Sequence, residues 1–143
     1  RCRPGYSGPT CSSPTVPSTF LQDSFVKFPL NFEPRRFSTT LQLRFRTREK
    51  TGELFRLVDQ HHREYIVLEI INHTIQVRVN LNGLRPREDA ISLAHVNASD
   101  GSWHAVKVSR HGSTLVLQLD GGEGRKYNES FRFRGHQLLT VDK

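Results

Sequence analysis

Between Tyr65 and Leu81 the chain alternates with a two-residue rhythm. Ile66, Leu68 and Ile70 interleave with Val67 and Glu69, then Ile75, Val77, Val79 and Leu81 with Gln76, Arg78 and Asn80. Successive side chains of a strand point to opposite faces, so the rhythm predicts two half-buried strands. They face each other across Asn72-His73, where Asn tolerates the left-handed conformation a two-residue turn needs. His stands where Gly is usual, which leaves a tight primed turn open. Leu41, Leu43 and Phe45 make a third apolar face; Leu115, Leu117 and Leu119, closed by Asp120-Gly121-Gly122, make a fourth. Each run is bounded by Gly, Asn, Asp or Pro, and no segment longer than a turn or two has helical spacing. The expected fold class is all-β, with these faces forming the core of a two-sheet antiparallel β-sandwich.

A chain of 143 residues allows one such core and a short appendage. Ser12-Ser13-Pro14-Thr15-Val16-Pro17-Ser18-Thr19 lacks periodicity and reads as a linker, dividing the chain into a cysteine loop (1–11), a linker (12–19) and a sandwich (20–143). No run is apolar enough to cross a membrane, and the first residues lack the pattern of a signal peptide. Any secretion signal is expected outside this piece, which reads as an excerpt.

Both cysteines lie in Cys2-Arg3-Pro4-Gly5-Tyr6-Ser7-Gly8-Pro9-Thr10-Cys11, where Pro-Gly and Gly-Pro turns bring the ends of a short loop together. The spacing resembles the last cysteine pair of an EGF-like domain. Two free thiols or half a zinc site are the alternatives, but no Cys-x-x-Cys or matching His pair follows. A Cys2–Cys11 disulfide is expected, and with it an oxidising compartment. Three N-glycosylation sequons, at Asn72, Asn97 and Asn128, agree with that compartment and fall where turns or loops are expected.

Asp100-Gly101-Ser102-Trp103-His104-Ala105-Val106-Lys107-Val108 joins a tight turn to an alternating strand that carries the single tryptophan. It resembles the signature of laminin G-like domains. The same order and spacing run from Phe25, in an expected opening strand, through Thr40–Thr47, Thr51–Phe55, Tyr65–Leu68 and Val79–Gly83 to Leu119-Asp120-Gly121. The resemblance implies a concanavalin-like jelly roll and a binding function. The chain stops at Leu138–Lys143, before the glycine-rich strand and cysteine pair such domains usually carry. A C-terminally truncated sandwich is therefore expected, marginally stable or prone to aggregate.

The resemblance further implies a calcium site on the rim, with Glu64 in the place usually held by Asp, a carbonyl from Leu81, and another donor from Leu138–Asp142. Glu64 reads more readily as an exposed strand-start carboxylate without a metal. EGF-like and laminin G-like modules alternate in adhesion and matrix proteins. The expected function is a non-catalytic extracellular module of a cadherin-type ectodomain, with an extracellular protein as partner. The alternative is a glycosaminoglycan-binding module of a matrix protein.

Net charge is +7, and Arg44, Arg46 and Arg48 alternate with apolar residues on the solvent face of one strand, with Arg35 and Arg36 near in sequence. Guanidinium groups grip sulfate or carboxylate bidentately, which points to glycosaminoglycans; an ordinary solvated face that discourages edge pairing reads equally well. Enzymatic readings lack residues. No nucleophile elbow, zinc helix or phosphate loop is present, and Asp100, Ser102 and His104 show neither an oxyanion hole nor a carboxylate to hold the histidine. His61-His62 with Glu64 lacks a third metal ligand, and nucleic-acid binding rests on charge alone.

Overall fold

The structure is a computed structural model that describes residues 2, 5–30, 35–59, 64–81, 88–123 and 127–132. Ten strands follow in order: β1 (Tyr6–Ser7), β2 (Ser13–Pro14), β3 (Ser38–Phe45), β4 (Gly52–Val58), β5 (Tyr65–Ile71), β6 (Thr74–Asn80), β7 (Asp89–Ser92), β8 (His104–His111), β9 (Thr114–Leu119) and β10 (Asn128–Arg132). There is no helix among the described residues. Two four-stranded antiparallel sheets, ordered β10-β9-β8-β3 and β4-β5-β6-β7, form the sandwich, and β1 pairs with β2 separately.

The core is built by the alternation visible in the chain. Ile66, Leu68, Ile70, Ile75, Val77 and Val79 of one sheet meet Phe45, Val106, Val108, Leu115, Leu117 and Leu119 of the other, all buried. Leu81, Leu93, Val96 and Ala98 close one margin of this cluster. At about 25 cal/mol per Å² of apolar area, this burial is the main term holding the sheets together.

Asn72 and His73 make the primed turn between β5 and β6, with φ of 50° and 68°. Three contacts keep His73 in the left-handed region that usually favours Gly. Its N–H donates to Lys50 O at 2.8 Å, its carbonyl accepts Ala98 N–H at 2.8 Å, and its Nδ1 lies 2.6 Å from Ser99 Oγ.

At three places the structure differs from the expectation. Ser13 and Pro14 pair with Tyr6 and Ser7, so the cysteine unit extends into the segment read as a linker. Phe25 lies in no strand: it is 82% exposed, and the described residues offer no strand to satisfy its backbone. Asn128 opens an edge strand, opposite Gln118, instead of sitting in a turn.

Candidate functional site

The register of β3, β8, β9 and β10 sets the outward face of their sheet. Arg44 lies opposite Ala105, Gln42 opposite Lys107, Lys107 opposite Gln118, and Gln118 opposite Asn128. Directly paired residues share a face, so the outward positions are Ser38, Thr40, Gln42 and Arg44; Ala105, Lys107, Ser109 and His111; Thr114, Val116 and Gln118; Asn128, Ser130 and Arg132. These positions include three cations and no carboxylate.

Trp103 stands at the margin of this face, just before β8, and is 42% exposed. The Arg44 and Arg46 guanidinium carbons lie 5.1 and 5.2 Å from the ring centroid. Each contact contributes about 0.5–1 kcal/mol at an exposed site, and together they hold two long side chains against one ring. Arg48 follows a different course and rests on Gly101, where a Cβ would lie 2.8 Å from its Nε. Gly5, in the cysteine loop, lies against Arg44: a Cβ there would be 2.5 Å from Nη1. Arg35 and Arg36 are exposed and precede the far end of β3, so eight residues separate Arg36 from Arg44. Near in sequence, they are roughly 27 Å away along the strand at about 3.4 Å per residue.

The outer face of the other sheet is balanced. Arg56 donates to both oxygens of Glu53 at 2.8 and 2.7 Å, and Arg78 binds Glu69 bidentately and Glu88 at 3.0 Å. The Tyr65 hydroxyl also donates to Glu88. Glu53 and Glu69 sit directly opposite each other, beside a bulge at Leu54, and these arginines offset their repulsion. By contrast, no carboxylate among the described residues pairs with Arg44, Arg46 or Arg48.

His104 is buried between two carboxylates: Nδ1 is 2.7 Å from Asp120 Oδ2 and Nε2 is 2.9 Å from Asp100 Oδ1. Burial opposes its charge, but the two carboxylates outweigh that effect and raise its pKa. Asp100 also accepts the Ser102 N–H at 2.8 Å, and its pKa is lowered by that bond and by His104. Both imidazole nitrogens are thus occupied, leaving none to activate a serine hydroxyl. The triad drawn from Asp100, Ser102 and His104 is a structural clasp.

The corner expected to hold calcium lies at the other end of the β4-β5-β6-β7 sheet. Tyr65 pairs with Asn80, and the next residues outward are Glu64 and Leu81. Glu64 N–H donates to Asp59 Oδ1 at 3.0 Å, and Glu64 O accepts Asp59 N–H at 3.1 Å. Among the described residues no group of three His, Cys, Asp or Glu is placed to hold a metal. One carboxylate and one carbonyl fall short of the six to eight oxygens calcium takes. Leu138–Asp142 and His61-His62 lie outside the described residues.

Cys2 and Cys11 are joined by a disulfide. Asn72 and Asn97 lie in turns at the same end of the sandwich, linked by the His73–Ser99 contact, while Asn128 stands on the outward face described above. Trp103, Lys107 and Arg132 are residues of this face that sequence reasoning left out, and the first two lie on the Arg44 side. Alternation along β8 puts both outside, but only the pairing of β8 with β3 brings them beside Arg44.

The laminin G domain family model matches residues 45–142. The chain belongs to the laminin G domain family. It is 58% identical to Neural-cadherin of Drosophila melanogaster over 142 residues, covering 99% of this chain and 5% of that protein. It is 32% identical to Protein crumbs homolog 2 of Mus musculus over 119 residues, covering 83% of this chain and 9% of that protein. The chain therefore spans less than a tenth of either relative. Among solved structures, domains LG4-5 of the mouse laminin alpha1 chain share the fold, with a TM-score of 0.68, 23% identity, and coverage of 80% of this chain and 28% of that one. Laminin G domains bind extracellular proteins or glycans.

Proposed function

We propose that this laminin G domain is a non-catalytic module of a cadherin-type ectodomain, preceded by the end of an EGF-like domain whose cysteine loop extends to the paired Ser13–Pro14. The observation that carries this reading is the 58% identity to Neural-cadherin across 99% of the chain, the cysteine loop included. The disulfide and the three sequons support an oxidising, glycosylating compartment. An antibody against the domain should stain intact cells and detect a parent far larger than the 16.4 kDa of this chain. Staining only after permeabilisation would overturn the proposal.

Calcium at the Glu64–Leu81 corner belongs to this reading, supported by their adjacency beyond the Tyr65–Asn80 pair. Calcium should raise the Tm of the wild-type chain and leave Glu64→Gln unchanged; an unshifted wild type removes the ion from the proposal.

One observation favours a second reading, glycosaminoglycan binding: Arg44 and Arg46 converge on an exposed aromatic ring, and no carboxylate among the described residues pairs with them. Retention on immobilised heparin above physiological salt is the expected result, and elution at or below it speaks against the reading.

A further inference from the structure

The Cys2–Cys11 loop is braced within itself. The disulfide closes it, Tyr6 and Ser7 pair with Pro14 and Ser13, Cys11 N–H donates to Gly8 O at 3.1 Å, and Thr15 N–H donates to Gly5 O at 2.9 Å. Among the described residues β1 and β2 pair only with each other, so no strand ladder joins the loop to the sandwich. The two parts nevertheless touch. Gly5 lies on the Arg44 side chain, where a Cβ would be 2.5 Å from Nη1, 3.0 Å from Cδ and 3.4 Å from Cζ.

We propose that the Arg44–Trp103 rim of the sandwich is a docking surface for this loop, and that the two form a fixed joint setting the direction in which the chain N-terminal to Cys2 leaves the domain. The proposal goes beyond the module reading and concerns two parts of this one chain, so it stands or falls whatever the domain binds.

The surface is formed by the sandwich itself. Arg44 lies opposite Ala105 in the β3–β8 pair, which fixes its backbone. Its guanidinium carbon is 5.1 Å from the Trp103 centroid, and Arg46 shares the ring at 5.2 Å. A long side chain is thus held by the ring and met by Gly5. Because the loop is braced and Arg44 is already held, docking gives up little backbone or rotamer freedom.

Gly5 suits the contact in two ways. Its φ of 93° is one that L side chains rarely adopt, and it has no Cβ to keep the loop off. Arg44 would admit a Cβ by swinging aside, but only by leaving Trp103 and with it the surface on which the loop rests.

The connection permits this docking. The chain enters β3 at Ser38, roughly 20 Å from Arg44 at about 3.4 Å per residue, and the segment from Thr15 to Phe37 is long enough to cross that distance. A tethered loop meets its surface at high effective concentration, so a small contact is enough to hold it.

Amide ¹⁵N relaxation of the oxidised chain tests the joint directly. The Gly5–Gly8 amides should tumble with those of β8, with order parameters of about 0.85 in both; values below about 0.6 across the loop beside a rigid β8 would overturn the proposal. Gly5→Ala should lower loop order and raise acrylamide quenching of Trp103, the single tryptophan, as Arg44 is displaced from the ring. Gly8→Ala is the control. Its φ of 91° imposes similar strain, but its Cβ meets Ser13 of the loop, at 3.3 Å from Oγ, so both readouts should stay at the wild-type values. Arg44→Ala should free the loop with Gly5 and the disulfide intact. The β8 amides should be unchanged in all three variants, since none of these residues belongs to the buried core. Equal loss of loop order in Gly5→Ala and Gly8→Ala would assign Gly5 to the folding of the loop alone, and a loop that stays rigid in Arg44→Ala would place no joint at Arg44; either result overturns the proposal.

Discussion

Asp120 Oδ2 and His104 Nδ1 meet at 2.7 Å across the open end of the β8–β9 hairpin. The second oxygen of Asp120 accepts the Ala105 N–H at 2.9 Å, so one carboxylate fixes both the strand end and the imidazole. Asp100 holds the opposite ring nitrogen, which ties the loop before Trp103 to the same point.

This clasp should make stability fall at alkaline pH. The His104 pKa is raised on folding, so its contribution is complete below the ordinary histidine value of about 6.5 and is lost as pH climbs through the raised value. Asp100 is lowered, so its contribution is present above the ordinary carboxylate range and is lost as pH falls through the depressed value. The Tm should drop between about pH 6 and about pH 9, and His104→Gln should flatten that drop. Thermal unfolding followed by circular dichroism checks it; a wild-type Tm that rises over this interval contradicts the assignment.

Arg110 is a buried cation that ties three segments together. It donates to Arg36 O at 2.7 Å, Gly112 O at 3.1 Å and Thr39 Oγ1 at 3.1 and 3.3 Å, with 2% of its surface exposed. Burial lowers its pKa from the usual guanidinium value, yet it remains protonated. Arg110→Leu leaves those acceptors without a donor and should cost about 2–3 kcal/mol in urea unfolding.

Gly101 has φ of 83° and its N–H donates to Thr47 O at 2.9 Å. An L side chain there is strained by about 1–2 kcal/mol and also meets Arg48. Gly101→Ala should lower stability by that amount, and an unchanged denaturation midpoint would refute the strain argument.

Asn97 Oδ1 accepts the Ser99 N–H at 2.9 Å and the Ser99 hydroxyl at 3.4 Å. Asn97 Nδ2, where a glycan would attach, has no partner among the described residues, and the side chain is exposed. Secreted protein should carry a glycan at Asn97. Ser99→Ala should remove one glycosidase-sensitive mass increment and, by breaking the contact with His73, about 1 kcal/mol of stability. Ser99→Thr should keep the increment.

The two-residue rhythm made β6 and β9 legible, because in each the alternate residues are those the core buries, whereas β5 is buried on both faces from Ile66 to Ile70. β7 and β10 were not legible: Asp89–Ser92 has four residues, and Asn128–Arg132 is exposed throughout, so neither shows a patterned face. The basic strand was legible as a row of arginines, but its geometry depends on a neighbour some 60 positions away in the chain, since Arg44 lies opposite Ala105. Alternation alone treats Arg44, Arg46 and Arg48 alike, whereas the fold gives two of them to Trp103 and one to Gly101. The clasp was half legible. Asp100 and Asp120 each mark a turn, and only the closed hairpin shows that they share a histidine.

The cysteine loop rests beside Arg44, near the end of β3, although the chain enters that strand at its opposite end, at Ser38. No strand pairing holds the described residues between Thr15 and Phe37. A pull on the N-terminal side would therefore load the contact between the cysteine loop and Arg44 before it loaded Ser38 at the start of β3. In the proposed ectodomain, the link between the cysteine loop and the sandwich would thus be the contact at Arg44, at the end of β3 away from the strand's entry.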